Sequence, residues 1–315
     1  MNHLRVLQSL RVELFVCDTD AGRLEAAGSL GIPESRLTTD LSKFSGNADA
    51  AIIVTPAQSH FPLGRDLLAL GKDVFIEKPL ALTSEEAKQL AEMAQLKRRI
   101  LQVGHIFRFD SASRWLRDAV QEGRFGRIHM IRGHFGGFKR PRNDSGVLFA
   151  DGIHFIDLFN YFLGSMPKSV LAIHHDFMGR GMEDVSFVSL EYETELGTTW
   201  ATVDNDYHAP GKFREVIVAG EKLSAICDYN AARDKIKLYE NHHARSGADS
   251  ESIEGAVTKI ECPAEEPLLA ELRAFLESIQ TRRKPLVGGW EGYNAVRVLE
   301  TAMASAKTGR KIKLD

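Results

Sequence analysis

The chain has 315 residues, of which 43% are hydrophobic and 26% charged, a composition typical of a globular protein long enough for two domains. Its formal net charge of −3 gives no reason to expect nucleic acid or a membrane surface as a partner. No apolar run approaches the roughly 20 residues of a membrane-spanning helix. The three cysteines are scattered and odd in number, and they predict free thiols in a reducing, cytoplasmic environment. Because no histidine or cysteine spacing is typical of a metal site, no bound metal is expected.

The first predicted strand covers residues 12–17 and is followed directly by Asp18. A carboxylate at the end of such a strand can accept hydrogen bonds from both hydroxyls of an adenosine ribose and would repel a 2′-phosphate. Asp18 is therefore a candidate cofactor-binding residue, and it favours NAD over NADP. It could equally cap a helix that begins at Ala21, and the two roles are compatible.

Two further predicted strands, residues 50–54 and 73–76, each end in a polar turn that contains proline. Open α/β sheets bind their ligands at the carboxyl ends of their strands, so both turns are expected at a dinucleotide site. The alternative is that the first turn only reverses the chain and caps a helix, and that Lys78 is an ordinary surface lysine. The candidate cofactor-binding residues in these turns are Thr55, Pro56, Ala57, His60, Glu77 and Lys78.

The predicted elements change character along the chain. Strands and helices alternate to about residue 105, where a capping box at Thr83–Glu86 begins a helix, and this alternation predicts a parallel sheet with helices on both faces. Two amphipathic helices end the chain, and residues 242–256 are predicted to be an exposed loop. Between residue 125 and these helices, a mostly antiparallel sheet is predicted from short strand candidates at 128–132, 170–174, 185–192, 198–203, 214–219 and 223–227.

Together these segments resemble the Gfo/Idh/MocA oxidoreductases, the family of glucose–fructose oxidoreductase and inositol dehydrogenase, over nearly the whole chain. The resemblance implies a Rossmann-like NAD(P)-binding domain at residues 1–105. It also implies an α+β substrate-binding and oligomerisation domain with an open sheet at residues 106–315, whose final helices could pack back on the first domain. The implied activity is NAD-dependent oxidation of a hydroxyl of a sugar, cyclitol or nucleotide-sugar, or the reverse reaction. In the family, the Thr-Pro turn lies along the nicotinamide side and the lysine of Glu-Lys-Pro contacts both cofactor and substrate.

The segment from Ala150 to Asp157 resembles the family motif D-x-G-x-H-x-x-D. Gly152, His154 and Asp157 match the motif, whereas its first aspartate falls at Ala150 and an acid stands one position later, at Asp151. On a regular helix, Asp151 would point roughly 100° away from position 150. This departure puts the usual trio of lysine, aspartate and histidine in doubt.

The resemblance implies that Lys78 and His154 transfer the proton of the reacting hydroxyl, with Asp157 as a third catalytic residue or as a residue that orients the helix. Tyr161 follows His154 and Asp157 on the same helical face and is a candidate substrate-binding residue. The alternative for His154 is a hydrogen-bonded histidine of the core.

Basic residues provide the remaining substrate-binding candidates. Arg108, in a segment that resembles the family's connection between domains, could anchor substrate oxygens or form an interdomain ion pair. Lys139, Arg140 and Arg142 lie in one loop, which could bind a phosphate or carboxylate or could simply be solvated. If the loop binds substrate, the substrate is anionic, and a nucleotide-sugar would fit.

The sequence contains no G-x-G-x-x-G, and its opening residues, Asn2–Leu10, resemble the family segment that follows the glycine-rich turn. The first strand and phosphate-binding turn are therefore expected to be missing, through a misplaced start or a truncation, or because this family member never needed the segment. NAD binding by this chain is expected to be weak. This expectation supports a competing interpretation, a catalytically inactive sugar-binding or scaffold protein of the same fold.

An exposed sheet face is the expected oligomer interface. Val188, Leu190 and Tyr192 alternate with polar residues along one strand, and with Trp200 on the next they could form an apolar patch. Because the family's open sheets pair face to face, a homodimer or homotetramer is implied.

Overall fold

The strand–helix alternation of the N-terminal region forms the first of two units in the computed structural model, which describes residues 1–46, 48–246 and 249–314. Unit 1 comprises Met1–Phe109 and Glu265–Tyr293, and unit 2 comprises Asp110–Ala264 and Asn294–Asp315. The helices of unit 1 are α1 (Asn2–Gln8), α2 (Ala21–Ser29), α3 (Ser42–Ser45), α4 (His60–Ala69), α5 (Ser84–Lys97) and α8 (Pro267–Thr281). Its strands are β1 (Val16–Cys17), β2 (Leu37–Thr38), β3 (Ala50–Ile53), β4 (Asp73–Glu77) and β5 (Leu101–Gly104).

The predicted parallel sheet of unit 1 is confirmed, although its first strand is shorter than expected. Strands β3, β4 and β5 are parallel neighbours, and β1 pairs with β2 in a separate parallel pair. Of the strand predicted over residues 12–17, only Val16 and Cys17 pair with β2. Val12 and Leu14 instead pack beside the apolar core, which accounts for their hydrophobic pattern without strand pairing.

The core of unit 1 joins helices from both ends of the sequence. Leu7 of α1, Phe75 of β4 and Phe275 of α8 belong to one buried apolar cluster, in which the two phenylalanine rings meet edge to face at 5.9 Å. The cluster buries every atom of Phe75, so the centre of β4 is fixed by packing as well as by its two neighbouring strands.

The predicted capping box begins α5 as expected. The Thr83 side chain accepts the backbone N–H of Glu86 at 3.2 Å, and Ser84 is the first helical residue. The cap satisfies one of the otherwise unbonded N–H groups of the first helical turn.

Unit 2 contains a nine-stranded sheet in the order β15-β12-β11-β10-β6-β9-β8-β7-β16. Only β6 and β9 are parallel neighbours, so the sheet is mostly antiparallel, as predicted. The strands of unit 2 are β6 (Ile128–Gly137), β7 (Ser169–His175), β8 (Val185–Thr194), β9 (Gly197–Asp206), β10 (Lys212–Gly220), β11 (Ser224–Asp228), β12 (Ile236–Tyr239), β13 (His242–Ser246), β14 (Asp249–Ile253), β15 (Val257–Ile260) and β16 (Ile312–Lys313). Its helices are α6 (Ser111–Gln121) and α7 (Ile153–Leu163), and α9 (Gly289–Thr308) begins in unit 1 and continues in unit 2. None of the described helices has the length and apolarity of a membrane span.

Helix α7 packs on one face of the large sheet, and this contact depends on a glycine. A Cβ at Gly133 of β6 would lie 2.6 Å from the Phe155 ring of α7, so only glycine leaves room for that ring. On the same side, the Tyr192 hydroxyl of β8 donates to the Asn160 side chain of α7 at 2.8 Å. We call this covered side the inner face.

The apolar patch predicted from Val188, Leu190 and Tyr192 is wrong, because these side chains lie on the inner face and are at most 2% exposed. Trp200 pairs directly with Glu191 and therefore lies on the opposite side from them. We call that side the outer face, and it carries its own exposed apolar side chains, Leu171, Ile173, Phe187 and Trp200.

The loop predicted over residues 242–256 is also wrong in part. Strands β13 and β14 pair antiparallel as a hairpin, while residues 247 and 248 lie outside the described part of the chain. Every residue of β14 is exposed, so this strand buries neither of its faces. The alternating apolar pattern by which a strand is predicted is therefore absent.

We expect Asp73→Ala to destabilise unit 1 more than Arg282→Ala. The buried Asp73 carboxylate accepts the Ile100 backbone N–H at 2.8 Å and also pairs with Arg282. Without it, that buried N–H loses its acceptor, at a cost of about 1–3 kcal/mol in unfolding free energy. The Arg282 side chain is 45% exposed, so losing it should cost about 1 kcal/mol or less. Urea unfolding of both variants measures the difference, and equal losses would contradict this account.

Candidate functional site

Glu77, the last residue of β4, is held inside unit 1. Its Oε1 lies 2.9 Å from His3 Nε2, and its Oε2 accepts the Lys78 backbone N–H at 3.1 Å. Burial alone would raise the pKa of Glu77, but the hydrogen bond and charge of His3, together with Lys78, outweigh it and lower the pKa. A Cβ at Gly104 would come within 2.9 Å of the Glu77 carboxyl group, so β5 needs glycine there. Glu77 therefore fixes the backbone next to Lys78, and its predicted contact with a cofactor stays a prediction.

Lys78 begins the turn after β4, and it is half-buried. The peptide bond between Lys78 and Pro79 is cis. Because β3 and β4 are parallel neighbours, the turn with Lys78 and the turn that begins at Thr55 lie at the same edge of the sheet.

The His60 imidazole connects these two turns. Its Nδ1 lies 2.7 Å from the Pro79 carbonyl oxygen and its Nε2 lies 2.8 Å from the Thr55 carbonyl oxygen, and the residue is 1% exposed. Carbonyl oxygens only accept, so both contacts are hydrogen bonds only when both ring nitrogens carry a proton. The side chain thus holds the backbone of the two turns together. Its predicted contact with the cofactor stays a prediction.

The remainder of the first turn is well ordered. Thr55 Oγ1 lies 2.6 Å from Ser59 Oγ, and the Ser59 backbone N–H donates to the Pro56 carbonyl. Ala57 is buried, so it contributes to packing beneath the turn. The cofactor contacts predicted for Thr55, Pro56 and Ala57 remain predictions.

Asp18 follows β1 and stays partly exposed. Its Oδ1 accepts the backbone N–H of Asp20 at 3.0 Å, and its Oδ2 lies 3.5 Å from Arg23. The cap of α2 is Asp20, whose side chain accepts the N–H groups of Gly22 and Arg23. The capping role that the sequence left open for Asp18 therefore belongs to Asp20.

Arg108 lies in the 3₁₀ turn Ile106–Phe109 of unit 1 and is 6% exposed. Such burial is unusual for a charged side chain and points to a structural or binding role. Both roles expected for it, substrate anchor and ion pair, stay predictions.

The start of α7 departs from a regular helix. Residues Leu148–Gly152 form a π-helical turn, so the 100° spacing expected for Asp151 does not apply. Asp151 instead pairs with Lys139, whose Nζ lies 2.6 Å from Oδ2. A Cβ at Gly152 would lie 2.5 Å from Asn205 Oδ1, which explains why this position needs glycine.

His154 and Asp157 both lie on the buried side of α7. The His154 ring stacks on Phe135 of β6, with centroids 5.7 Å apart, and His154 is 8% exposed. Asp157 is 1% exposed, and its charge contributes to a raised pKa of Tyr192, for which burial is the larger cause. The Lys139 ammonium lies 5.1 Å from the centre of the same Phe135 ring, so unit 2 brings His154 near the Lys139–Asp151 pair. The catalytic roles of His154 and Asp157 stay predictions.

The other substrate candidates lie in different surroundings. Tyr161 faces α6, where the Arg117 guanidinium lies 5.4 Å from its ring centre. Arg140 is exposed, and Arg142 forms a two-pronged ion pair with Asp144. Among these loop residues, Lys139 forms an ion pair with the start of α7, whereas Arg142 interacts with Asp151 through its charge.

The sequence alone did not single out Arg180, Glu183 and Tyr207, which the structure gathers around Lys139 and the start of α7. Lys139 and Arg180 both lie near the Tyr207 ring, 5.4 and 5.9 Å from its centre. Burial raises the pKa of Glu183, whose carboxylate accepts the Leu148 backbone N–H at 3.1 Å. Arg180 and Glu183 lie in the loop between β7 and β8, whereas Tyr207 follows β9 and Lys139 follows β6. Because three separate segments meet here, no local pattern signals these residues.

Residues 3–105 match the family described as an oxidoreductase family with an NAD-binding Rossmann fold, and residues 117–314 match its C-terminal alpha/beta domain. The chain belongs to the Gfo/Idh/MocA oxidoreductases. It is 27% identical to UDP-N-acetylglucosamine 3-dehydrogenase of Acidithiobacillus ferrooxidans, over 81% of this chain and 77% of that one. It is 26% identical to myo-inositol 2-dehydrogenase of Thermotoga maritima, over 85% and 80%. The WlbA dehydrogenase of Bordetella pertussis, solved with NADH and UDP-GlcNAcA, has the same fold, with a TM-score of 0.82, 22% identity and coverage of 100% and 95%.

Unit 1 of this Gfo/Idh/MocA member therefore carries an NAD-binding Rossmann domain, and its residues fit that cofactor. Asp18 offers a partly exposed carboxylate after β1, as an acceptor for ribose hydroxyls requires. The turns that contain Thr55 and Lys78 follow neighbouring parallel strands, where such a sheet binds its ligand.

We expect His60→Phe to weaken NADH binding about tenfold, equivalent to about 1.4 kcal/mol, because the two turns lose their connection. The variant keeps a ring but removes both ring nitrogens, so the unfolding free energy should also fall by about 1–3 kcal/mol. His60→Gln retains an amide N–H₂ and should recover part of both losses. Fluorescence titration with NADH and urea unfolding measure these effects, and His129→Phe, at an exposed position, is the control. Unchanged binding and stability in His60→Phe would show that the histidine does not hold the turns.

Proposed function

We propose that this protein is an NAD-dependent oxidoreductase that oxidises a hydroxyl of a sugar, cyclitol or nucleotide-sugar, or carries out the reverse reduction. Membership of an NAD-binding oxidoreductase family supports the reaction class. Relatives named as inositol and UDP-N-acetylglucosamine dehydrogenases support the substrate class. The observation that carries the proposal is the position of Lys78, held by Glu77 and His60 at the ligand-binding edge of the NAD-binding sheet.

In this proposal, bound NAD supplies the hydride acceptor. The Lys78 amine takes the proton from the substrate hydroxyl as the carbon–hydrogen bond breaks, which leaves a carbonyl group on the sugar. His154 passes the proton onward, since an imidazole can both accept and donate near neutral pH. Asp157, buried on the same helix, orients the helix or the histidine.

The substrate side of the proposal rests on unit 2. Lys139 forms an ion pair with Asp151, which lies three residues before His154. The Lys139 ammonium can donate hydrogen bonds to sugar hydroxyls, and the Asp151 carboxylate can accept them. Arg108, Arg140 and Tyr161 remain proposed substrate contacts from the sequence.

A spectrophotometric assay of NADH formation, with myo-inositol and UDP-N-acetylglucosamine among the test substrates, tests the proposal directly. Hydride transfer to NAD from any member of a sugar and cyclitol panel supports it. Tight NAD binding without turnover on the whole panel would instead favour the inactive sugar-binding or scaffold protein, which Ala150 in place of the family aspartate also favours.

We expect Lys78→Ala to retain less than about a tenth of the wild-type turnover, because general acid–base groups contribute about 10²–10⁴-fold. His154→Ala should reduce turnover less, since it relays a proton that Lys78 has already accepted. Lys88→Ala, at an exposed position on α5, is the matched control and should leave turnover unchanged. Steady-state kinetics of the three variants decide the point. Turnover above a tenth in Lys78→Ala would remove the lysine from proton transfer.

We also propose that the protein forms a homodimer, or a homotetramer of such dimers, through the outer face of the large sheet. Leu171, Ile173, Phe187 and Trp200 are 40–66% exposed there, and exposed apolar clusters of this kind mark interaction surfaces. A two-fold axis would pair the face with itself, as the family resemblance implies.

The combined variant Ile173→Glu and Phe187→Glu places two like charges on each copy of this face. We expect it to shift the protein to monomers at micromolar concentration, measured by light scattering. Leu96→Glu, at an 82% exposed position on α5, should leave the mass unchanged. A wild-type protein that is already monomeric would contradict the proposal.

We propose a cytoplasmic location because the cysteines form no disulfides. Cys17, Cys227 and Cys262 are all free thiols, as a reducing compartment permits. Burial is the main reason why the pKa of Cys227 is raised, so this thiol resists ionisation.

A further inference from the structure

Arg180 lies in the loop between β7 and β8 of unit 2, and the backbone around it is held in place. The Asp176 carboxylate accepts the backbone N–H of Arg180 at 3.0 Å and that of Gly181 at 2.7 Å. These bonds to one side chain fold the loop back on itself. The guanidinium is thus carried on a fixed loop near Tyr207.

Among the described residues, only part of the Arg180 guanidinium forms hydrogen bonds. Its Nη1 donates to the Arg142 carbonyl oxygen at 2.7 Å. Its Nε and Nη2, which form the opposite edge, contact no solvent and have no hydrogen-bond partner among the described residues. Buried donors without partners are rare in folded proteins, so this edge requires an explanation.

In a neighbouring loop, the same edge of the Arg142 guanidinium binds a carboxylate. Its Nε and Nη2 donate to the two oxygens of Asp144, each at 2.8 Å. Parallel donors on one edge match the two oxygens of a carboxylate. Arg180 has the same pair of atoms, and no carboxylate of the described residues bonds to them.

The acids near Arg180 have other partners in the part of the chain that is described. Asp151 pairs with Lys139, and Glu183 accepts the Leu148 backbone N–H. Neither forms an ion pair with Arg180. Burial raises the pKa of Glu183 while the Arg180 charge acts in the opposite direction, so the two groups interact electrostatically without an ion-pair contact. Among the described residues, no carboxylate forms a hydrogen bond with Nε or Nη2 of Arg180.

The position of Arg180 connects it with the start of α7. Its guanidinium and the Lys139 ammonium both lie near the Tyr207 ring. Lys139 in turn bonds to Asp151, three residues before His154. A sugar that reaches His154 and Lys139 could therefore extend a substituent toward Arg180.

We propose that Arg180 binds an oxyanion of the substrate through Nε and Nη2, which makes the substrate an acidic sugar. The two-atom edge favours a carboxylate, as in a uronic acid, and a phosphate offers the same paired oxygens. The proposal rests on the proposed function, because it assigns the anion to the sugar that the enzyme oxidises. Since solvent does not reach the two N–H groups, the Arg180 side chain must turn from the Arg142 carbonyl as the anion binds.

Calorimetric titration of the protein with bound NADH tests this without turnover. The probes are D-glucuronate for a carboxylate, D-glucose 6-phosphate for a phosphate, and D-glucose as the neutral sugar. D-Glucuronate should bind about tenfold or more tightly than D-glucose, as expected for charge-assisted hydrogen bonds. Arg180→Gln should abolish the difference, and Arg180→Lys, which keeps the charge but not the paired donors, should retain only part of it.

Arg233→Gln, at an exposed position of the same unit, is the control and should bind like the wild type. Circular dichroism shows whether each variant is folded. If Arg180→Gln does not fold, the affinity of Arg180→Lys for D-glucuronate and D-glucose decides the question. Arg180-dependent binding of the phosphate alone supports the oxyanion site and identifies phosphate as the ligand.

Three outcomes would overturn the proposal. The protein could bind the neutral and acidic sugars with equal affinity, or it could bind neither acid. The third outcome is acidic-sugar binding that neither Arg180 variant weakens. The NADH-formation assay separates this result from the proposed function. Arg180-dependent binding without any sugar oxidation leaves the anion site standing and the oxidoreductase activity wrong. Oxidation of sugars without Arg180-dependent binding gives the opposite conclusion.

Discussion

The candidate active site of unit 1 depends on a partly buried carboxylate at the end of β4. An ionised Glu77 in this position is costly unless its oxygens have partners, and each has one: Oε1 lies 2.9 Å from His3 Nε2, and Oε2 accepts the Lys78 backbone N–H. These contacts restrict the backbone that carries Lys78. His60 then restrains the next residue, Pro79, against the turn after β3. The lysine is therefore presented by a pre-organised turn rather than by a mobile loop, which is what proton transfer at a defined atom requires.

Unit 2 achieves a similar order by close packing. Gly133 and Gly152 bring α7 near the sheet, because a larger residue at either position would overlap with Phe155 or Asn205. The result is that the polar start of α7 lies beside charged loops. Most of the charged side chains in these loops form ion pairs with neighbours, so their charges largely cancel. Among the described residues, the Nε and Nη2 edge of Arg180 has no hydrogen-bond partner, and we therefore use it to infer the chemistry of the ligand.

Much of the fold could be predicted from short segments. Each of the six strands predicted between residues 128 and 227 is present, with ends that extend by a few residues. The errors share a physical cause. Val12 and Leu14 are apolar because they pack against the core, not because they pair, and β14 pairs with β13 although every residue of β14 is exposed. On β8, the alternation of apolar and polar residues correctly predicted that the two faces of the strand differ. It did not predict that the apolar face is the one that α7 covers.

For this protein, the sequence by itself determined the order of strands and helices, the turns that deliver Thr55 and Lys78, and the family to which these belong. These features are local, since proline, capping residues and β-branched runs act within a few positions of themselves. Only the tertiary structure decided that His60 lies between two carbonyl oxygens, that Asp20 rather than Asp18 caps α2, and that Arg180 lies near the Tyr207 ring. The contacts of His60 with Pro79 and of Arg180 with Tyr207 join distant parts of the sequence. The contact of His60 with Thr55 and the cap of α2 are local, but they depend on the direction of the backbone, which the identity of the residues alone does not give.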